Sequence, residues 1–264
     1  MLRESGDSGE TNRERITCVR SEDMNTQLAI LDYEGTIVDE EEAILQEYPR
    51  ALVRRMTKEQ AKAFREKMKH MTPGDRVVLT IHGKRLEMAA SDIWTLIGGY
   101  AQGCGLDPGL IYEAFQKTQR RIQPQIRSRA GIRTTLRLLN QLGWKVIVVS
   151  NAPEPTMVRK LRALRLDGFI SDCQGDAGKP GLQSYRRVKD EYGLTRKDTV
   201  VVVGDNVLFD LVPAKKVFDE CITVYVKTRY GVVPRELRKS VDQVGLKALR
   251  ELASFKNNRK GMVS

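Results

Sequence analysis

The chain has 264 residues, 41% of them hydrophobic and 30% charged, so it is long enough to bury a core and too apolar to be disordered throughout. Lys and Arg total 45 against 34 Asp and Glu, and the net charge of +11 suggests an anionic partner such as a nucleic acid, a membrane surface or a small phosphate ester. The four cysteines, Cys18, Cys104, Cys173 and Cys221, are widely spaced, which favours reduced thiols in the cytoplasm over a disulfide scaffold or a zinc cluster.

The first part of the chain, residues 1–27, is polar and carries both charge signs, so we predict a loose arm and not a secretory signal. No segment approaches the roughly 20 consecutive apolar residues that a membrane-spanning helix needs. The sequence therefore predicts a protein without a membrane partner.

Four short apolar runs predict buried strands, at 28–31, 146–149, 200–203 and 222–226. They do not alternate between apolar and polar residues, which is typical of parallel strands covered on both faces. Helical patterns follow at 132–142, 155–166, 183–192 and 208–218, and a terminal helix is predicted over 234–256 with a polar tail at 257–264. This alternation indicates an α/β fold with a doubly wound, Rossmann-like parallel sheet.

A long insertion separates the first strand from the helix that precedes the second. Residues 40–128 exceed what a crossover needs, so we expect a smaller, mostly helical domain there, with the core formed by 28–39 and 129–256. Amphipathic spacing predicts helices at 40–56, 57–71, 91–102 and 108–122, and 76–86 weakly suggests a hairpin. The glycine-rich stretch 98–105 is interpreted as a helix end and a turn, since it fits no nucleotide-binding fingerprint.

Polar residues gather where the first three predicted strands end. The motif DYEGT (32–36) follows the first strand, Ser150 and Asn151 follow the second, and GDN (204–206) follows the third with Asp210 close behind. Ligands of open α/β sheets bind beyond the carboxyl ends of the strands. We therefore expect four carboxylates to converge in one crevice, namely Asp32, Glu34, Asp205 and Asp210.

Such a cluster of carboxylates repels itself and needs a cation. Ligation by oxygen alone points to Mg²⁺, which keeps several waters and accepts substrate phosphate. Ser150 and Asn151 would hydrogen-bond phosphoryl oxygens, and Lys179 in the GKP motif would add a compact positive charge. Each residue alone has a plainer interpretation as a helix cap, a turn residue or a solvated lysine.

Taken in order, the motifs DYEGT, a strand ending in Ser150, the GKP lysine and GDNVLFD resemble the haloacid dehalogenase superfamily. The resemblance covers about residues 28–233 outside the insertion. It implies a phosphatase-type hydrolase in which Asp32 attacks phosphorus and forms an aspartyl-phosphate. It also implies that Glu34 is the general acid and base, and that the insertion is a mobile cap over the substrate.

The resemblance further implies the ligands of the metal and of the phosphate. The Asp32 carboxylate, the backbone carbonyl of Glu34 and Asp205 would hold Mg²⁺, with Asp210 either a further ligand or a partner that holds Lys179. Ser150, Asn151 and Lys179 would stabilise the transferring group. Gly35 and Thr36 complete the first motif at the substrate site.

Glu34 departs from the commonest family pattern, which has aspartate at that position. The enolase-phosphatase branch is similar there, so hydrolysis of a phosphate monoester, from a small metabolite or a nucleotide, is the favoured function. Transfer of the phosphoryl group to another hydroxyl, as in a phosphomutase, is an alternative that the motifs leave open. The other alternative is a catalytically weak, basic protein that binds RNA.

The positive charge is unevenly distributed along the chain. Residues 1–48 hold 4 basic and 13 acidic side chains, whereas residues 49–130 hold 16 basic and 7 acidic ones. The basic run of the insertion is interpreted first as a solvated helix face and second as a cationic lid that steers a phosphorylated substrate. It contains Arg54, Arg55, Lys58, Lys62, Arg65, Lys67 and Lys69.

Overall fold

A computed structural model of the chain describes residues 25–81, 83–90 and 92–260, so most of the predicted arm and the end of the polar tail lie outside the described residues. The strands are β1 (Gln27–Leu31), β2 (Val38–Asp39), β3 (Arg76–Ile81), β4 (Lys84–Ala89), β5 (Arg127–Ser128), β6 (Lys145–Val149), β7 (Asp172–Gln174), β8 (Thr199–Gly204), β9 (Ile222–Tyr225) and β10 (Gln243–Val244). The helices are α1 (Glu41–Val53), α2 (Lys58–Lys69), α3 (Ile93–Gly103), α4 (Pro108–Ile122), α5 (Ile132–Gln141), α6 (Glu154–Ala163), α7 (Gln183–Glu191), α8 (Val212–Val217) and α9 (Gly245–Lys260).

Six strands form one parallel sheet in the order β10-β9-β8-β1-β6-β7. The first strand lies at its centre, where Leu31 is in register with Val148 on β6 and with Val203 on β8. The chain therefore leaves three adjacent strands at the same edge of the sheet. The expected α/β fold with a doubly wound parallel sheet is confirmed.

Both faces of the central strands are buried, which explains why their apolar runs do not alternate. Ala29 and Leu31 pack into one hydrophobic cluster, and Leu28 and Ile30 pack into another on the opposite face. Helices cover each side, so every residue of β1 is withdrawn from water. A rigid, two-sided core thus supports the edge at which the polar motifs lie.

Several predicted elements differ from the observed ones. The helix expected over 208–218 begins as a π-helical turn, Val207–Leu211, and becomes α-helical only in α8, whose first turn accommodates Pro213. The terminal helix begins at Gly245, after a 3₁₀ turn (Arg235–Ser240) and β10, and continues to Lys260 into the predicted polar tail. The short strands β2, β5, β7 and β10 were not predicted.

The segment between β2 and β5 contains α1 to α4 and the β3–β4 hairpin. Its entry and exit strands pair with each other, with Val38 opposite Ser128 and Asp39 opposite Arg127. Helices α1 and α4 pack together, and α3 packs on the hairpin. The chain therefore enters and leaves the inserted unit side by side, through one two-stranded connection.

Over the described residues, no helix combines the length and the apolar composition that crossing a bilayer would require. Cys104, Cys173 and Cys221 are free thiols, and Cys18 lies outside the described residues.

The stretch 98–105 contains the end of α3 at Gly103 and the turn that follows it, as predicted, and Gly98 and Gly99 lie inside the helix. A Cβ atom on Gly99 would overlap the side chain of Val77 on β3. The glycine lets the helix approach the hairpin closely, which offsets the conformational entropy that glycine loses inside a helix. This contact fixes α3, whose first turn faces the site described below.

We predict that Gly99→Ala destabilises the protein although alanine is the better helix former. Overpacking against Val77 should cost about 1–3 kcal/mol of unfolding free energy and outweigh the gain of about 1 kcal/mol in helix propensity. Urea denaturation measures the unfolding free energy of each variant. Gly103→Ala is the matched control, since its Cβ would meet only the flexible end of Lys67, at 3.2 Å. Equal or higher stability of Gly99→Ala would contradict the close approach.

Candidate active site

Three aspartates meet at the edge where β1 and β8 end. Asp32 follows β1 directly, and its backbone N–H donates to the carbonyl of Val203 at 2.9 Å. Asp205 and Asp210 belong to the loop and the π-helical turn after β8. One carboxylate oxygen from each of the three lies within 4.8 Å of the others, and all three side chains are buried.

Lys179 lies between two of these carboxylates. Its Nζ atom is 2.5 Å from Asp32 Oδ1 and 2.6 Å from Asp210 Oδ1. All three groups are withdrawn from water, so each charge depends on the others for its stabilisation. Asp210 therefore forms the contact with Lys179 that was one of its two predicted roles. It also lies close to the other two aspartates, as a metal ligand would.

Asn151 holds the loop that carries Lys179. Its Oδ1 atom accepts a hydrogen bond from the backbone N–H of Lys179 at 2.7 Å, and its Nδ2 atom donates to the carbonyl of the same residue at 3.0 Å. Ser150 and Thr36 are buried and do not line the cavity described below, so their contact with a substrate stays a prediction. The Ser150 hydroxyl accepts from the backbone N–H of Ala152 at 3.1 Å, which leaves only Asn151 of that pair at the cavity.

The charges of the aspartates are incompletely compensated. Burial raises the pKa of Asp32 to about 8, against the opposing effect of Lys179. Burial, together with the charges of Asp32, Asp92 and Asp210, holds the pKa of Asp205 well above its usual range. No ion pair to Asp205 occurs in the part of the chain that the structure describes.

This donor set fits a hard divalent cation. Three buried carboxylates with one lysine among them present oxygen ligands and an excess of negative charge, which are the properties of a Mg²⁺ site. Gly35 keeps the space beside Asp205 open, because a Cβ atom there would overlap that carboxylate, and its φ of 72° is one that glycine tolerates.

Glu34 contacts the inserted unit and is not part of the cluster of three aspartates. Its Oε1 atom accepts a hydrogen bond from Gln119 Nε2 on α4 at 2.6 Å. Burial raises the pKa of Glu34 to about 7, while the hydrogen bond from Gln119 and the charge of Lys179 act in the opposite direction. Of the four carboxylates expected to converge, three form the cluster and Glu34 lies beside it in the same cavity.

A cavity of about 180 Å³ opens above the aspartates, between the core and the inserted unit. The core contributes Asp32, Asn151, Lys179 and Asp205 to its wall, and the insertion contributes α1, the start of α3, and α4. A further hydrogen bond joins the two units beside the cavity, from Asn206 Nδ2 to the carboxylate of Asp92. The same Asp92 caps α3 by accepting from the Thr95 backbone N–H at 2.9 Å.

The cavity has further polar and aromatic residues that the sequence did not single out. They include Glu40, Asp92, Trp94, Phe115 and Asn206, and Gln119 adjoins them through its hydrogen bond to Glu34. Asn206 was inside a quoted motif, and the helical pattern from residue 91 could have suggested Asp92 as a cap. The remaining residues of this set belong to no motif in the sequence. They reach the cavity only because the fold packs the insertion against the core.

The basic residues of the insertion lie elsewhere. Lys58, Lys62 and Arg65 are exposed along α2, and Arg54, Arg55 and Arg121 border a separate groove with Glu47. None of them lines the cavity. The exposed-face interpretation describes α2. The second interpretation, a cationic lid that steers a phosphorylated substrate, stays a prediction.

Comparisons with known proteins identify one family. A family model described as haloacid dehalogenase-like hydrolase matches residues 26–217. No curated protein matches the sequence significantly.

Solved structures with the same fold come from several microbes. A predicted phosphoglycolate phosphatase from Haemophilus somnus 129pt aligns with a TM-score of 0.55 and 18% identity over 84% of this chain and 94% of that one. An HAD phosphatase from Thermococcus onnurineus aligns at 0.53 and 19% identity, over 86% of this chain and 97% of that one. An HAD family hydrolase from Deinococcus radiodurans R1, with bound phosphate and sodium, aligns with a TM-score of 0.57 and 16% identity. That alignment covers 89% of this chain and 98% of the other. At these identities the likeness establishes a shared fold.

We predict that Mg²⁺ stabilises the folded protein through the aspartate cluster. An ion that binds only the folded state at a hundredfold excess over its Kd adds about 2.7 kcal/mol of stability, which thermal unfolding detects as a higher Tm. Asp205→Asn should lose most of that increase, whereas the matched surface variant Asp219→Asn should keep it. An identical Mg²⁺-dependent rise in Tm in both variants would contradict the proposed ligand set.

Proposed function

The chain belongs to the haloacid dehalogenase-like hydrolase family, and from this premise we propose that it hydrolyses phosphate monoesters through a covalent aspartyl-phosphate on Asp32. The observation that carries the proposal is the position of Asp32. Its carboxylate lies at the centre of the sheet edge, in contact with Lys179 and facing a cavity that also contains Glu34. Nucleophile, cation and proton donor thus face one space.

In the proposed first step, an Asp32 carboxylate oxygen attacks phosphorus and forms an acyl phosphate, while the bond from phosphorus to the leaving oxygen breaks. The Glu34 carboxyl group gives its proton to that oxygen, so the product leaves as a neutral alcohol. A pKa of about 7 leaves much of Glu34 protonated at neutral pH, as a general acid requires.

In the proposed second step, the Glu34 carboxylate takes a proton from a water molecule as the water oxygen attacks phosphorus. The acyl phosphate bond breaks, inorganic phosphate leaves, and the Asp32 carboxylate is restored. Dividing the displacement into two steps lets the same carboxyl group serve as acid and then as base.

Lys179 and Asn151 would support both steps from the core side. The ammonium group compensates the negative charge of the transferring group, and Asn151 fixes the lysine through the two backbone hydrogen bonds described above. Asp32, Asp205, Asp210 and the backbone carbonyl of Glu34 would hold Mg²⁺. When bound, this ion would supply positive charge that orients the phosphate and stabilises its transition state.

We also propose that residues 40–128 act as a cap that closes over the cavity. The hydrogen bonds that link cap to core at the cavity include those from Gln119 to Glu34 and from Asn206 to Asp92. Closure excludes water from the cavity and brings Gln119 to the proton donor. Gln119 is thus a positioning residue for Glu34, which is one methylene longer than the usual aspartate.

We predict that Asp32→Asn abolishes Mg²⁺-dependent hydrolysis of p-nitrophenyl phosphate. An amide oxygen is a poor nucleophile, so kcat should fall by about a thousandfold or more. The exposed variant Asp190→Asn on α7 controls for a general effect of losing a carboxylate and should retain activity. Turnover by Asp32→Asn at the wild-type rate would refute the mechanism.

The pH dependence of kcat/KM for an alkyl phosphate tests the role of Gln119. A general acid must be protonated, so activity should decline as pH rises through the pKa of Glu34, near 7. The hydrogen bond from Gln119 stabilises the ionised form, so Gln119→Met should raise that pKa and move the decline to higher pH, by about half a unit or more.

Gln116→Met is the matched control for this substitution, because Gln116 is exposed on the same helix. It should leave the pH profile in place. If Gln119→Met leaves the pH of the decline in kcat/KM unchanged, or lowers it, Gln119 does not act on the proton donor.

A further inference from the structure

The wall of the cavity opposite the three aspartates is acidic and aromatic. Among the described residues, the cavity lining includes seven carboxylates, one lysine and no arginine. The aspartate cluster, Lys179 and a divalent ion are formally neutral together. A bound phosphate monoester then adds negative charge to a cavity that still has the carboxylates of the insertion on its other side.

Two of the carboxylates on the insertion side already have donors. Glu41 accepts from the backbone N–H of Arg229 at 2.9 Å, which ties α1 to the core. Asp92 accepts from Thr95 and from Asn206, as described above. Both carboxylates therefore have hydrogen-bond donors within the protein.

Glu40 differs from both of them. Its Oε1 atom accepts a hydrogen bond from Trp94 Nε1 at 2.8 Å, whereas its Oε2 atom is buried without a hydrogen-bond partner among the described residues. The residue is 4% exposed and lies in the cavity wall. A buried carboxylate oxygen without a partner carries a desolvation cost, which a positively charged ligand group in the adjoining cavity would offset.

Burial, followed by the charge of Glu34, raises the pKa of Glu40 well above its usual range. This is the behaviour of a carboxyl group that lacks a nearby cation in the protein itself. A cationic group in the cavity would favour its ionised form and form an ion pair with it.

Aromatic rings stand beside this carboxylate. The Trp94 ring, which donates to Glu40, lies 4.8 Å from the centroids of both Tyr48 and Phe115 in edge-to-face contacts. Trp94, Phe115 and Phe209 all line the cavity. An aromatic surface combined with a carboxylate recognises ammonium and quaternary ammonium groups, because the faces of the rings attract cations.

The cavity offers little to a substrate with a second anionic group. No arginine lines the cavity among the described residues, since Arg54, Arg55 and Arg121 border a separate groove, and Lys179 is committed to two aspartates. A carboxylate or second phosphate on the leaving group would face Glu40 without a cation to compensate it.

We propose that this protein prefers phosphate monoesters whose leaving group carries a positive charge, namely those of amino alcohols and quaternary ammonium alcohols, and that Glu40 and Trp94 bind the cationic group. This inference rests on the proposed phosphatase function and specifies its substrate class. Glu40 is thus assigned as the specificity-determining residue of the cavity.

Phosphocholine and 3,3-dimethylbutyl phosphate test the proposal, because they have nearly the same shape and differ in one positive charge. We expect kcat/KM with Mg²⁺ to be at least tenfold higher for phosphocholine. Glu40→Gln, which keeps size and removes the charge, should bring the ratio of the two values close to one. Glu42→Gln is the matched control, since Glu42 is exposed on α1, and it should preserve the ratio.

Failure of the substrate preference is distinguishable from failure of the phosphatase function. If p-nitrophenyl phosphate is hydrolysed and phosphocholine is no better than its neutral analogue, the preference is refuted and the phosphatase function stands. If no phosphate ester is hydrolysed, calorimetric titration with choline and with 3,3-dimethylbutanol still tests the cavity. Tighter binding of choline, lost in Glu40→Gln, supports the cationic site, and equal affinities overturn it.

Discussion

The ion pairs of Lys179 with Asp32 and Asp210 are the interaction on which the site depends. Each group is buried, and a buried charge without a partner costs several kcal/mol. The fold must therefore bring all three side chains into contact. The sheet order meets this requirement, because β1 lies between β6 and β8 and brings Asp32 beside the loop after β8. Asn151, at the end of β6, then fixes the loop of Lys179. A central strand buried on both faces gives these residues a rigid support.

The inserted unit completes the site by adding what the core lacks. The core supplies the three aspartates, Lys179 and Glu34, and α4 supplies the Gln119 side chain that holds Glu34. The start of α3 is fixed to the core loop by the hydrogen bond between Asp92 and Asn206. Since α3 in turn packs on the hairpin through Gly99, the packing of the insertion and the geometry of the cavity are coupled. The positive charge of the insertion lies on other surfaces, so the net charge of the chain says little about the ligand of this cavity.

The sequence predicted the parts of the fold that depend on local patterns. Unalternating apolar runs predicted β1, β6, β8 and β9, because strands buried on both faces have no polar positions. The strands β7 and β10 were missed because they are short and contain polar residues such as Asp172 and Gln243. The motif residues after the strands were found for a physical reason, since the ends of adjacent parallel strands share one edge. Glu40, Trp94 and Gln119 could not be found in this way, because they come from the insertion and reach the site only through tertiary packing.

The central claim is that Asp32 becomes covalently phosphorylated during turnover. The most direct measurement is to quench the reaction with acid, digest the protein and determine by mass spectrometry which peptide carries phosphate. The account predicts an acid-stable phosphate, labile to hydroxylamine as acyl phosphates are, on the peptide that contains Asp32 and only during turnover. Turnover of a phosphate ester without any label on that peptide, or with the label on another residue, would contradict it.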